Sequence, residues 1–176
     1  MVYVARAKQF ANAEGLIRSF PLNVWGPDAR PFLHFFLEIP GSRGGFEKII
    51  GWGLPPLIHE AKYENVHIFI DATFKCCPIG YTQCLIFMVY NFPTDMYLPV
   101  FFTLMTKKES DLYQHALQNM IAAADWKIFG KTVCSDYEKA LMTAAKLQFS
   151  EGRFVGGLFH WKQVIKALSS LISSLS

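Results

Sequence analysis

The sequence is poor in charge and has no concentration of positive charge. Lysine, arginine, aspartate and glutamate make up 18% of the 176 residues, whereas soluble domains usually contain about a quarter. The formal net charge is only +3, and the basic residues are spread along the chain. Proteins that hold nucleic acid mainly through its phosphates usually carry a dense basic stripe. The composition therefore gives no independent indication of nucleic-acid binding.

Long hydrophobic runs and a secretion signal are also lacking. The longest apolar stretches, 84–90 and 98–104, are far shorter than the roughly 20 residues that a transmembrane helix needs. Arg6 and Lys8 are not followed by an apolar run with a small-residue cleavage site, so no signal peptide is predicted. We therefore expect an intracellular protein with no membrane partner.

The spacing of the cysteines is not that of a metal site. The four cysteines are Cys76, Cys77, Cys84 and Cys134, and none of them forms a CxxC pair. Adjacent side chains in an extended segment point to opposite faces, so Cys76 and Cys77 are poorly placed to bind one metal together. The pattern predicts reduced thiols, as in intracellular proteins.

Turn-forming residues divide the chain into two parts. Six of the nine prolines lie at or before Pro56, and seven of the twelve glycines lie at or before Gly53. We therefore predict that residues 1–65 form an irregular N-terminal arm of loops and short helices, and that residues 66–176 form a folded domain. An apolar content of 52% disfavours disorder.

The second part alternates between the periodicities of strands and helices, beginning with an apolar three-stranded antiparallel meander. The order β-β-β-α-β-α-β-α is typical of the ribonuclease H-like fold, an α/β fold with a mixed five-stranded sheet. The predicted elements are strands 66–74, 81–90 and 97–105, a helix capped by Ser110, strand 131–134, a helix carrying residues 137–147, strand 153–159 and a helix over 161–175.

One aspartate lies near the end of a predicted strand and another directly follows one, and each has a structural and a functional interpretation. Asp71 is either a strand-end acid bonded to backbone amides or one member of an acidic site. Asp136 either lies in the first turn of a helix begun by a Ser135–Glu138 capping box or is the second member. Together the two carboxylates would suit Mg²⁺ or Mn²⁺ and two-metal phosphoryl transfer.

The region from 66 to about 168 resembles the catalytic domain of Mutator-like element (MULE) transposases. Any one of its motifs is weak, but four in order, each in the matching strand or helix context, make the resemblance specific. The four segments are HIFIDATF at 67–74 with CPIGY at 77–81, YLPVFF at 97–102 followed by Lys107, Glu109 and Tyr113, CSDYEKAL at 134–141, and GGLFHWKQ at 156–163.

The resemblance implies a DDE-type transposase core that uses bound Mg²⁺ or Mn²⁺ to hydrolyse DNA at transposon ends, after which the freed 3′-hydroxyl attacks target DNA. Asp71 and Asp136 match the first and second acids as catalytic and metal-binding residues. No glutamate matches the third acid, so we expect a domain that is incomplete at its C-terminus. His160 matches the histidine of a Cys-x-x-His element and is a possible supporting residue, whereas Gly157 stands at the cysteine position.

The missing third acid leaves two functions open. One is a transposase-derived enzyme of the nucleus that acts on DNA, with possible self-association. The alternative is a catalytically silent relic that binds DNA or another protein. A ribonuclease H-like nuclease acting on RNA fits the fold but matches the sequence motifs less well.

Overall fold

Seven strands form one mixed sheet, accompanied by three helices, in the part of the chain that the computed structural model describes: residues 31–42, 44–74 and 77–157. The elements in chain order are β1 (Leu33–Pro40), β2 (Phe46–Gly53), α1 (Pro55–Glu60), β3 (Val66–Thr73), β4 (Gln83–Asn91), β5 (Met96–Met105), α2 (Ser110–Ala123), β6 (Gly130–Ser135), α3 (Lys139–Gln148) and β7 (Arg153–Gly156).

The strands lie in the order β1-β2-β5-β4-β3-β6-β7. Every pair from β1 across to β3 is antiparallel, whereas β3 pairs parallel with β6 and β6 pairs parallel with β7. The α/β class, the antiparallel meander and the order β-β-β-α-β-α-β from residue 66 are therefore confirmed. The predicted last helix, over 161–175, lies outside the described residues.

The sheet has seven strands rather than the five predicted, because two strands come from the segment expected to be an irregular arm. Within residues 33–40 every second residue is apolar, namely Leu33, Phe35, Leu37 and Ile39, which is the period of a half-buried strand. The adjacent β2 pairs with β5. The expectation of loops and short helices is wrong for these two stretches, and residues 1–30 lie outside the described part.

One face of the sheet, which we call the inner face, forms the core with the helices. Ile68 and Ile70 of β3 are buried on it, as are Leu85 and Phe87 of β4. The apolar stripe predicted for α2 is confirmed, and α2 contacts both the sheet and α3. The buried residues of α2 are Leu112, Tyr113, Ala116, Leu117, Met120 and Ile121, and those of α3 are Leu141, Ala144 and Ala145.

The opposite face of β3 and its neighbours, which we call the outer face, is rich in half-exposed aromatic side chains. Phe69 packs edge-on against Tyr97, with ring centroids 4.8 Å apart. Tyr90 contacts the ring of Tyr97, and Phe92 contacts those of Tyr90 and His67. Alternation along β3 places Asp71 on this same face.

Both predicted helix starts are wrong by a short distance. Glu109, not Ser110, occupies the N-cap position of α2, without a side-chain capping bond, although Asp111 lies in the first turn as expected. Glu138 is the N-cap of α3, whereas Ser135 is the last residue of β6. The predicted Ser135–Glu138 capping box therefore does not form, and Asp136 precedes the helix.

Candidate functional site

The two aspartates follow paired positions of neighbouring parallel strands. Ile70 of β3 pairs with Ser135, the last residue of β6. Asp71 and Asp136 come directly after these partners. Because parallel strands advance in the same direction, the two residues occupy adjacent register positions at one edge of the sheet, where sites of α/β proteins typically form.

Asp71 is exposed on the outer face, two residues before β3 ends at Thr73. Its Oδ1 accepts a hydrogen bond from the Ala72 backbone N–H at 2.8 Å, so the local bond expected of a strand-end acid is present. β3 pairs with β6 along this stretch, with Phe69 opposite Cys134. Burial first, and the charge of Asp71 second, raise the pKa of the Cys134 thiol.

Asp136 is half-buried in the three-residue loop 136–138 between β6 and α3. Its Oδ1 accepts a hydrogen bond from the backbone N–H of Glu138 at 3.1 Å, which is an Asx turn. Its carbonyl accepts a bond from Ser135 Oγ at 3.1 Å. The side chain is thus held by the loop. The capping interpretation required it to lie in the first turn of the helix, and it does not.

A polar chain lies beneath this loop in the core. Tyr113 of α2 and Gln83 of β4 are both fully buried. The Tyr113 hydroxyl lies 2.8 Å from Gln83 Oε1 and 2.8 Å from Glu138 Oε1. Burial first, and the bond to Glu138 second, raise the pKa of Tyr113, so its hydroxyl stays protonated at neutral pH.

The lysines of the β5–α2 connection lie at the same end of the sheet. Lys107 pairs with Glu47 of β2 and lies 3.8 Å from Glu109. Lys108 is exposed, and its Nζ lies 3.5 Å from the ring centroid of Phe74, which follows the end of β3. A cation–π contact therefore orients Lys108 beside the strand that carries Asp71.

The possible metal-binding atoms of Asp71 and Asp136 are carboxylate oxygens, which are the type of ligand that a hard divalent cation prefers. Among the described residues no group of three or more His, Cys, Asp and Glu side chains could hold a metal ion. Mg²⁺, however, is often bound by one or two carboxylates together with water and substrate phosphates. Asp71 and Asp136 are the residues that would hold it here.

The predicted supporting histidine, His160, lies outside the described residues, as does Cys76. Gly157, at the position where the resembled family has cysteine, donates its backbone N–H to the carbonyl of Ser135 at 2.9 Å. This backbone bond holds the end of β6 next to the site, and it needs no cysteine side chain at position 157.

Three participants in the site were not predicted from the sequence: Gln83, the hydroxyl of Tyr113 and the Glu138 side chain. Tyr113 was assigned to the apolar stripe of α2 and to the family pattern, and it does lie in that stripe. A buried tyrosine normally needs a hydrogen-bond partner, so a tyrosine within a core stripe was the available signal. The identity of its partners depends on how the elements pack.

No family model matches the chain, and no curated protein or solved structure matches it either. Within residues 31–42, 44–74 and 77–157, no helix is long and apolar enough to cross a membrane.

Proposed function

We propose that this chain is a transposase-derived, ribonuclease H-like domain related to the DDE-type MULE transposases, which cleaves and transfers DNA strands with Mg²⁺ or Mn²⁺. The observation that carries the proposal is the Ile70–Ser135 pair, because it brings Asp71 and Asp136 to adjacent positions at one sheet edge. Two residues separated by 65 positions in the sequence thereby become neighbours.

The arrangement of the middle strands supports the proposed fold. An antiparallel meander of β3, β4 and β5 comes first. The helix α2 then leads to β6, which pairs parallel with β3, and α3 leads to β7, which pairs parallel with β6. In this proposal β1 and β2 extend the five-stranded sheet at its β5 edge.

The chemistry proposed for the site divides between the acids and a nearby cation. Asp71 and Asp136 hold the divalent ion, which when bound supplies activation of the attacking oxygen and stabilisation of the leaving oxygen. Lys108, oriented by Phe74, contacts a DNA phosphate at the same edge. DNA as partner, the transposon end as substrate and the nucleus as location all follow from the family resemblance.

The proposal is tested by cleavage of a supercoiled plasmid and of labelled duplex DNA by the full chain in Mg²⁺ or Mn²⁺. We expect metal-dependent nicking that is lost in Asp71→Asn and in Asp136→Asn. Asp111→Asn is the matched control, because Asp111 lies exposed in the first turn of α2. Nicking that persists in the Asp71→Asn protein would exclude the proposed site, and cleavage restricted to an RNA duplex would favour an RNA nuclease.

A second candidate function is that of a catalytically silent module that binds DNA or another protein. The outer face favours it, since Phe92 and Tyr97 are 63% and 57% exposed on or beside an aromatic cluster. The module would be supported over the enzyme if the native protein binds DNA or another protein but does not nick DNA. Asp71→Asn should then leave that binding unchanged.

A further inference from the structure

The buried polar chain ends at the backbone group that holds Asp136. Tyr113 Oη lies 2.8 Å from the Glu138 carboxylate, and the backbone N–H of Glu138 in turn donates to Asp136 Oδ1 at 3.1 Å. The core of the protein is thus connected, through one loop residue, to a carboxylate of the proposed site.

The Tyr113 hydroxyl has one proton and two acceptor oxygens within 2.8 Å, Gln83 Oε1 and Glu138 Oε1. A carboxylate is the stronger acceptor. Gln83 Nε2 lies 3.5 Å from Met105 Sδ, a weak acceptor, and with the amide reversed this nitrogen would instead donate to Tyr113, leaving the hydroxyl proton to Glu138. In that arrangement Gln83 and the ring packing fix Tyr113, and Tyr113 fixes Glu138.

The other bonds at this loop hold different groups. Ser135 Oγ donates to the Asp136 carbonyl, and the Gly157 N–H donates to the Ser135 carbonyl. Tyr137, in the middle of the loop, is 49% exposed. Of these interactions, the bond from Tyr113 is the one that ties Glu138 to the core.

We propose that Tyr113 is a positioning residue for Asp136, acting through Glu138. The inference rests on the proposed function, because Asp136 is taken as a metal-binding carboxylate. Partners that orient a ligand from outside the coordination sphere are typically worth about 10–100-fold in metal affinity. Tyr113→Phe keeps the ring in the core and removes only the hydroxyl that holds Glu138.

The first measurement is hydrogen exchange of the Glu138 amide by NMR, which needs no metal. We expect this amide to be protected in the native full chain and to exchange faster in Tyr113→Phe. The Ala72 amide, which donates to Asp71 Oδ1, should be unchanged. Tyr90→Phe is the matched control, because it removes a tyrosine hydroxyl bonded to Asp95 on the outer face. Unchanged exchange at Glu138 would overturn the positioning role.

The second measurement is the Mn²⁺ affinity of the full chain, followed by electron paramagnetic resonance. We expect Tyr113→Phe to weaken binding by about tenfold, and Tyr90→Phe to leave it unchanged. Glu138→Gln, which retains an acceptor for the tyrosine, should remain close to native, whereas Glu138→Ala should match Tyr113→Phe. Adding Glu138→Ala to Tyr113→Phe should have little further effect.

The outcomes separate the two proposals. Native Mn²⁺ binding that is unaffected by Tyr113→Phe overturns the inference and leaves the proposed function standing. A Glu138→Gln protein that loses binding as completely as Asp136→Asn makes Glu138 a ligand and also overturns the inference. A native protein that binds no Mn²⁺ rejects the proposed function, and the exchange of the Glu138 amide then decides whether Tyr113 holds the loop.

Discussion

Ile70 of β3 and Ser135 of β6 are paired across a parallel ladder, and the residue that follows each of them in the sequence is an aspartate. The strand pairing, rather than any local motif, is what brings the two acids together. Each carboxylate accepts a hydrogen bond from a nearby backbone N–H. The Asp71 bond is the one its structural interpretation expects, whereas the capping interpretation of Asp136 is wrong, and neither local bond excludes the functional interpretation.

The contact between Phe35 and Gly51 predicts that β1 is a required part of the fold. A Cβ at Gly51 would lie well inside contact distance of the Phe35 ring, which is buried against β2. We expect Gly51→Ala to lower the free energy of unfolding by about 1–3 kcal/mol, the usual cost of overpacking, as measured by urea denaturation.

Gly156→Ala is the control for that substitution. The three atoms nearest to a Cβ at Gly156 would all belong to the far end of Tyr137, whose side chain is half-exposed and can move aside. Its effect on unfolding should be clearly smaller. Equal effects of the two substitutions would show that the Phe35 ring does not pack over Gly51, and hence that β1 is misplaced.

The contacts of Glu47 predict that part of the protein's stability depends on pH. Its carboxylate pairs with Lys107 and accepts a 2.7 Å bond from Thr106 Oγ1, and these two contacts, the lysine first, lower the pKa of Glu47. A lowered pKa in the folded state means that the stabilisation is complete above the ordinary glutamate pKa. The stabilisation is lost as the pH falls through the lower, folded value.

We therefore expect Glu47→Gln to be less stable than the native protein at pH 7 and to lose less stability on acidification. Urea denaturation at pH 7 and at intervals below the ordinary glutamate pKa of 4.5 measures the difference. Glu64→Gln, an exposed change elsewhere, serves as the control. Parallel pH curves for the native and Glu47→Gln proteins would contradict the assignment.

Much of the fold could be predicted because its periodicities are clear. The alternation of β3 gave the correct burial of Ile68 and Ile70, and the stripe of α2 gave its buried face. Strand β1 is not predicted, because the surrounding prolines and glycines indicate loops. Its apolar residues Leu33, Phe35, Leu37 and Ile39 nevertheless lie at every second position. Turn residues mark where elements end, and they do not exclude short strands between them.

The candidate site, like the fold, could be predicted from the sequence only in part. Asp71 and Asp136 could be selected from the sequence, since Asp71 lies near the end of an apolar strand and Asp136 directly follows a short one. The bonds of Tyr113 to Gln83 and Glu138 could not, because they join β4, α2 and the loop before α3, and such contacts depend on packing distances. The predicted capping box failed for a related reason: β6 extends through Ser135, so the helix begins after Glu138.

The most direct test of the account is a double-mutant cycle on Mn²⁺ binding with Asp71→Asn, Asp136→Asn and the combined variant. If the two carboxylates hold one ion, each single substitution should abolish or nearly abolish binding, and the combination should add nothing. Asp111→Asn should bind as the native protein does. Native affinity in either single variant, or losses that simply add as for two independent sites, would contradict the central claim that Asp71 and Asp136 form one metal site.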